Sequence, residues 1–187
     1  MMKIQKLENG FLGIETGTTT IKEPDSVLKK LSLIKGASDA WIQGFSTRRV
    51  LNEIHIGFAA YQTNVAIWRK RCFSPVPALD FLIRLSGQKQ VTHAIRDFGI
   101  KEGARQPTGI VAFALDKTDC RRMINEGIVA LDLKPEKRHV PSKEQLEEIR
   151  QYFYITRFAS ERFPPSAKTR FTESTILEKI ALLELEH

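Results

Sequence analysis

Cysteine is scarce in this chain. The only two among its 187 residues, Cys72 and Cys120, lie far apart with no CxxC spacing. That argues against a disulfide framework or a zinc ribbon and fits a reducing compartment. Both thiols are expected to act as small packing residues. No run approaches the roughly 20 apolar residues that span a bilayer, and the opening MMKIQKLENG lacks the apolar stretch of a signal peptide. There is no Asn-x-Ser/Thr acceptor. The chain therefore reads as soluble and cytoplasmic, without a membrane partner, and residues 1–187 as a single domain with 42% apolar residues to build its core.

Catalytic signatures are missing as well. His55, His93 and His139 show no HxxxH or HExxH relationship, so no metal site is expected. Neither GxSxG, GxGxxG nor a GxxxxGK[ST] loop occurs, and Gly99, Gly103 and Gly109 read as turn residues. Ser86 precedes a glycine, yet no histidine and carboxylate are tied to it. Asp116 and Asp119 are candidates to flank a pocket, with a helix N-cap at least as good a reading for Asp116. These absences predict a non-enzyme that needs no cofactor.

Positive charge is what the chain has in surplus. Its 29 basic and 22 acidic residues leave a net charge of +7, which favours an anionic partner, nucleic acid first. Coarse patterning predicts an α/β domain of the α+β type, a small, mainly antiparallel sheet flanked by helices. Asn9-Gly10 marks a hairpin. Residues 23–36 carry a helix with Val27, Leu28, Leu31 and Ile34 facing the core, and Trp41–Phe45 a short strand. Asn52 caps the longest helix, Glu53 to Arg71, along which Ile54, Phe58, Tyr61, Val65 and Trp68 step by 4, 3, 4 and 3 as a seam of coiled-coil type. Ala104–Pro107 reads as a loop, Thr108–Leu115 as a central strand and Lys117–Asn125 as a helix closed by Gly127. Ile128–Leu133 reads as a further strand, Lys134–Pro141 as a polar turn. Ser142 to Gln145 is a capping box opening a helix. Thr156–Arg170 shows no clear period, and the last helix is expected over Thr172–Leu185. The closing Leu185-Glu186-His187 looks like the stump of a purification tag, so residues 184–187 read as part tag remnant and His187 is given no function.

The most informative stretch is Ala78 to Gly103, ALDFLIRLSGQKQVTHAIRDFGIKEG. It reads as two helices joined at Ser86-Gly87. The first is apolar nearly all round; the second is one-sided, with Val91, Ala94, Ile95 and Phe98 at i, i+3, i+4 and i+7. Gly87 and Gly99 sit where left-handed C-terminal caps are expected. The apolar positions, the SG joint, the QV and AI pairs and GIK keep the spacing of a signature, LLxLSGxxQIxxAIxxxGIKxG. The chain resembles, on these residues, the kinase-binding accessory subunits of the KEOPS complex, the PRPK-binding protein (TPRKB-like) family. The segment Leu177–Leu183 near the C-terminus fits the same family, and the likeness covers Asn52 to Leu115 best.

What the resemblance implies is a non-catalytic KEOPS subunit that binds and supports the complex's kinase subunit. It also implies capture of the single-stranded 3′ CCA end of tRNA, for threonylcarbamoyladenosine formation at position 37. Leu79, Leu82 and Ile83 of the signature, with Ile176, Ile180 and Leu183 near the end, are the expected kinase contacts. Lys70, Arg71, Arg84 and Lys89 are the expected phosphate-binding cations, with Ser86 and Gly87 allowing close backbone approach. Arg84 lies in the more apolar helix, so a structural pairing with a buried carboxylate or carbonyl is the alternative for it. Arg48, Arg49, Arg121, Arg122, Lys137 and Arg138 are candidates to extend the patch. The competing reading is a self-standing RNA-binding α/β module outside KEOPS.

Overall fold

A computed structural model describes residues 2–136, 140–155 and 164–186. Strand β1 (Lys3–Leu7) turns into β2 (Gly10–Ile21), pairing Leu7 with Gly10. The hairpin falls where Asn9-Gly10 marked it, its two linking residues being Glu8 and Asn9. Helix α1 (Pro24–Leu33), strand β3 (Trp41–Ser46) and helices α2 (Glu53–Arg69), α3 (Pro77–Ser86) and α4 (Val91–Phe98) follow. Then come β4 (Gly103–Ala114), α5 (Lys117–Leu131), β5 (Lys134–Pro135), α6 (Lys143–Tyr152) and α7 (Pro165–Leu182), closed by a 3-10 turn, Leu183–Glu186. The described strands form one antiparallel sheet in the order β1-β2-β4-β3, with β5 added beside β2.

Strand β4 divides the core because successive side chains leave a strand on opposite faces. Val111 and Phe113 face one cluster, shared with α2, α3, α4, α6 and α7. Ile110, Ala112 and Ala114 face the other, shared with α1 and α5. The result is one α/β domain in three layers, the expected antiparallel sheet with helices on both sides.

Several expectations shift. Residues 104–107 are strand, since β4 begins at Gly103 and Pro107 pairs with Thr18 opposite. The run Ile128–Leu133 is not a strand; α5 continues to Leu131, and Asp132 takes the left-handed cap at φ 45°. Gly127 therefore does not end the helix. A Cβ there would meet Ile110 Cδ1 at 1.9 Å, so the glycine lets α5 lie close on the sheet. Lys134-Pro135 is more than a turn, forming the short β5 against Gly17 and Thr18. Helix α7 begins at Pro165, with proline in its first turn, seven residues before the expected start. Residues 156–163 lie outside the described residues. Gly87 is left-handed at φ 62°, as expected, but Gly99 is not, at φ −65°.

Candidate functional site

The signature segment and the helix before it form an antiparallel hairpin, α2 against α3. At one end His55, fully buried, ties the first turn of α2 to the last turn of α3. Its Nε2 lies 2.9 Å from Leu85 O, while its Nδ1 accepts from the Leu51 N–H at 3.3 Å. With Nδ1 accepting, Nε2 carries the proton and donates to the carbonyl. Both ring nitrogens are thereby occupied, which removes His55 as a metal ligand. At the other end Asp80 accepts from Phe73 N–H at 2.6 Å.

Between them stands Arg84, fully enclosed. Its Nε donates to Asp80 at 2.6 Å, one turn earlier, and Nη1 pairs with Glu184 from the closing turn. Nη2 reaches Arg71 O at 3.5 Å, and the guanidinium lies over the Phe73 ring with 5.1 Å to its centroid. Arg84 is therefore a corrected assignment: it is the structural alternative, and no phosphate can reach it. An Asp and an Arg at i, i+4 inside an otherwise apolar helix was the available signal. Glu184, in the stretch read as part tag remnant, had none.

Ser86 is likewise corrected. It is buried, with Oγ donating to Ile83 O at 2.8 Å and accepting from Gln88 N–H at 3.2 Å. Gly87 is half-buried, near the Phe153 ring. Lys70, Arg71 and Lys89 are exposed, but they do not form one patch. Lys70 and Arg71 follow the end of α2, and Lys89 follows the end of α3. The ten residues of α3 set these ends about 15 Å apart. Lys70 holds the left-handed cap of α2 at φ 56°, a place where glycine is usual. Among the other cations, Arg48 pairs with Glu148, Arg49 with Asp97, and Arg122 with Asp119 and Glu126. Arg121 is exposed, and Lys137 and Arg138 lie outside the described residues, as does His139.

The expected kinase contacts need the same correction. Leu82, Ile83, Ile176, Ile180 and Leu183 are all buried in the chain's own core. Helix α7 lies against α2 and α3, and Ile176 and Ile180 belong to the same buried cluster as Phe81, Leu85 and Phe153. Of the six, only Leu79 keeps partial exposure. The apolar surplus on α3 is consumed internally.

The uncovered apolar surface is on α2. Its buried residues are His55, Ile56, Ala59, Ala60, Thr63 and Ala66, a face made narrow by alanine so that α3 can pack closely. The seam of large side chains points the other way. Ile54 is 55% exposed, Tyr61 41% and Trp68 73%, with Phe58 and Val65 half-buried between them. Beside the C-terminal half of this seam runs a groove of about 550 Å³, walled by Leu7, Asn64, Trp68, Phe113 and Leu115.

A family model described as Kinase binding protein CGI-121 matches residues 19–184. The chain belongs to this family. The match begins inside β2 and ends on Glu184, the residue that pairs with buried Arg84, so it takes in the whole signature and the last helix. A search of curated proteins returns no match to the chain. Among the described residues, no three His, Cys, Asp or Glu side chains converge to hold a metal ion, and no helix is long and apolar enough to cross a membrane.

The two thiols give a direct test of the packing. Cys120 is enclosed beneath α5, its S–H directed at Ala112 O at 3.6 Å, and burial pushes its pKa up to about 11. Cys72 is half-buried, also raised by burial and then by the nearby Asp80 charge. At pH 8 iodoacetamide should label one thiol per native chain, mapped to Cys72, and the second only in denaturant. Equal native labelling of Cys120 would contradict the packing of α5 on the sheet.

Proposed function

We propose that this CGI-121 family protein is a non-catalytic subunit of the KEOPS complex. It binds and supports the kinase subunit and receives the 3′ CCA end of tRNA during threonylcarbamoyladenosine formation at position 37. The family match over residues 19–184 carries the kinase part of this reading. The RNA part is supported by the net charge of +7 and by Lys70 and Arg71, adjacent exposed cations after α2. A single-stranded end leaves its phosphates open to such a pair while its bases remain free to be held one by one.

Copurification with the kinase subunit tests the first part. For the second, intact tRNA and tRNA lacking CCA are titrated against wild type and a Lys70→Gly/Arg71→Ser variant. Glycine suits the left-handed cap, so the variant should keep its fold. Wild type should prefer the intact tRNA, and the variant should lose affinity with a salt slope shallower by roughly 0.7 per lost contact. Equal affinity of the wild type for both tRNAs would reject capture of the 3′ end. A variant that still discriminates at full strength would move the seat to the Lys89 end of α3.

A further inference from the structure

We infer that the outward seam of α2, Ile54, Phe58, Tyr61, Val65 and Trp68, is the seat of the kinase subunit, and that it takes an apolar helix carrying a carboxylate opposite Arg69. This inference rests on the kinase-binding reading above and places its contact.

The spacing of the seam identifies the shape of its occupant. Steps of 4, 3, 4 and 3 average 3.5 residues, the period at which a stripe stays aligned with a neighbouring helix crossing at a shallow angle. From Ile54 to Trp68 it runs about 21 Å, four turns of a partner helix. Among the described residues no helix lies along this stripe, because α3 and α7 occupy the alanine face, although Phe58 also packs against the edge of the core. Gly57 borders the seam, and a Cβ built there meets nothing within 4 Å. Open space at that point allows close approach of a second backbone.

Charge and area choose among occupants. Residues 53–68 hold no lysine or arginine, so an RNA strand laid along the seam would find no counter-charge for its phosphates. Arg69 closes the seam, exposed and outside the ion pairs formed among the described residues, which suits an acidic group on the partner. A strip about 21 Å long and one helix wide, about 10 Å, covers far less than the roughly 800 Å² per side of a stable interface. The partner must therefore also reach into the neighbouring groove of about 550 Å³. A second copy, itself at +7, is the poorer electrostatic match.

The test uses the full chain with the purified KEOPS kinase subunit. The Cβ that Gly57→Arg adds meets nothing within 4 Å, and replacing a mid-helix glycine favours α2, so the variant should stay folded. Tyr61→Glu and Arg69→Glu probe the middle and the charged end. Wild type should bind, and Gly57→Arg and Tyr61→Glu should each weaken binding by at least about 30-fold with unchanged melting temperatures. Arg69→Glu should lose less, mainly in association rate at low salt. If wild type fails to bind kinase, the family-based reading falls and the inference with it. If wild type binds and the seam variants bind equally well, the inference alone is overturned. Variants that keep kinase but lose tRNA would make the seam an RNA platform, and variants that keep kinase but abolish a concentration-dependent dimer would make it a self-contact; either overturns it.

Discussion

Arg84→Ala is expected to lower the unfolding free energy by about 3–5 kcal/mol, the usual loss when one member of a buried ion pair is removed. Arg84 is fully enclosed, Asp80 beside it likewise, and Glu184 nearly so. Deleting the guanidinium leaves two carboxylates in an apolar setting and also empties the space above Phe73. Asp80 would keep its bond from the Phe73 N–H but lose its counter-ion. Urea denaturation followed by circular dichroism measures the effect. Replacing both partners, as in Asp80→Leu/Arg84→Met, should recover part of the loss, because Asp80 is then no longer stranded, although Glu184 still lacks its counter-ion and the Phe73 amide loses its acceptor. A loss below about 1 kcal/mol for Arg84→Ala would mean that water enters this end of α3.

Ile180→Arg should be at least as severe, and through the fold rather than through binding. Ile180 is completely buried, in the apolar cluster that α7 shares with α2 and α3. Burying an unpaired cation there costs more than about 4 kcal/mol, a large part of the roughly 5–15 kcal/mol that holds a domain together. The variant should show a collapsed melting transition and poor recovery from expression. A variant that melts like wild type and fails only to bind kinase would instead make α7 an interface helix and overturn the packing described above. Paired with Gly57→Arg, the two substitutions separate loss of structure from loss of docking.

Local signals in the sequence were legible where one residue decides the geometry. Asn52 caps α2 by accepting from His55 N–H at 3.0 Å, the capping box of Ser142 and Gln145 closes as read, and Asp116 caps α5 through Thr118 and Asp119. The apolar run TGIVAFAL lies in the central strand. What the sequence left open was which face of an element turns inward. The α2 seam and the α2 alanine stripe are both consistent helical faces, one of coiled-coil type and one small enough for close approach of a neighbour. The structure packs the alanine stripe inward, because only small residues let α3 come close enough for His55 to reach Leu85 O. The run Ile128–Leu133 failed for a related reason: six mostly apolar residues fit a strand or a helix end equally well, and only packing against Ile110 settles it. Arg84 was ambiguous because its second carboxylate comes from a residue 100 positions away.

The position of α7 also sets an order of events while the chain is being made. Ile176 and Ile180 complete the layer begun by Phe81, Leu82 and Leu85, and Glu184 supplies the second carboxylate to Arg84. A ribosome adding about 5–20 residues per second takes roughly 10–40 s over a chain of this length. For about half of that time, from the synthesis of Ser86 to that of Ile180, α2 and α3 exist with one apolar side still uncovered. The layer can close only once α7 has been made, so a chain cut short before Ile176 and Ile180 cannot complete it.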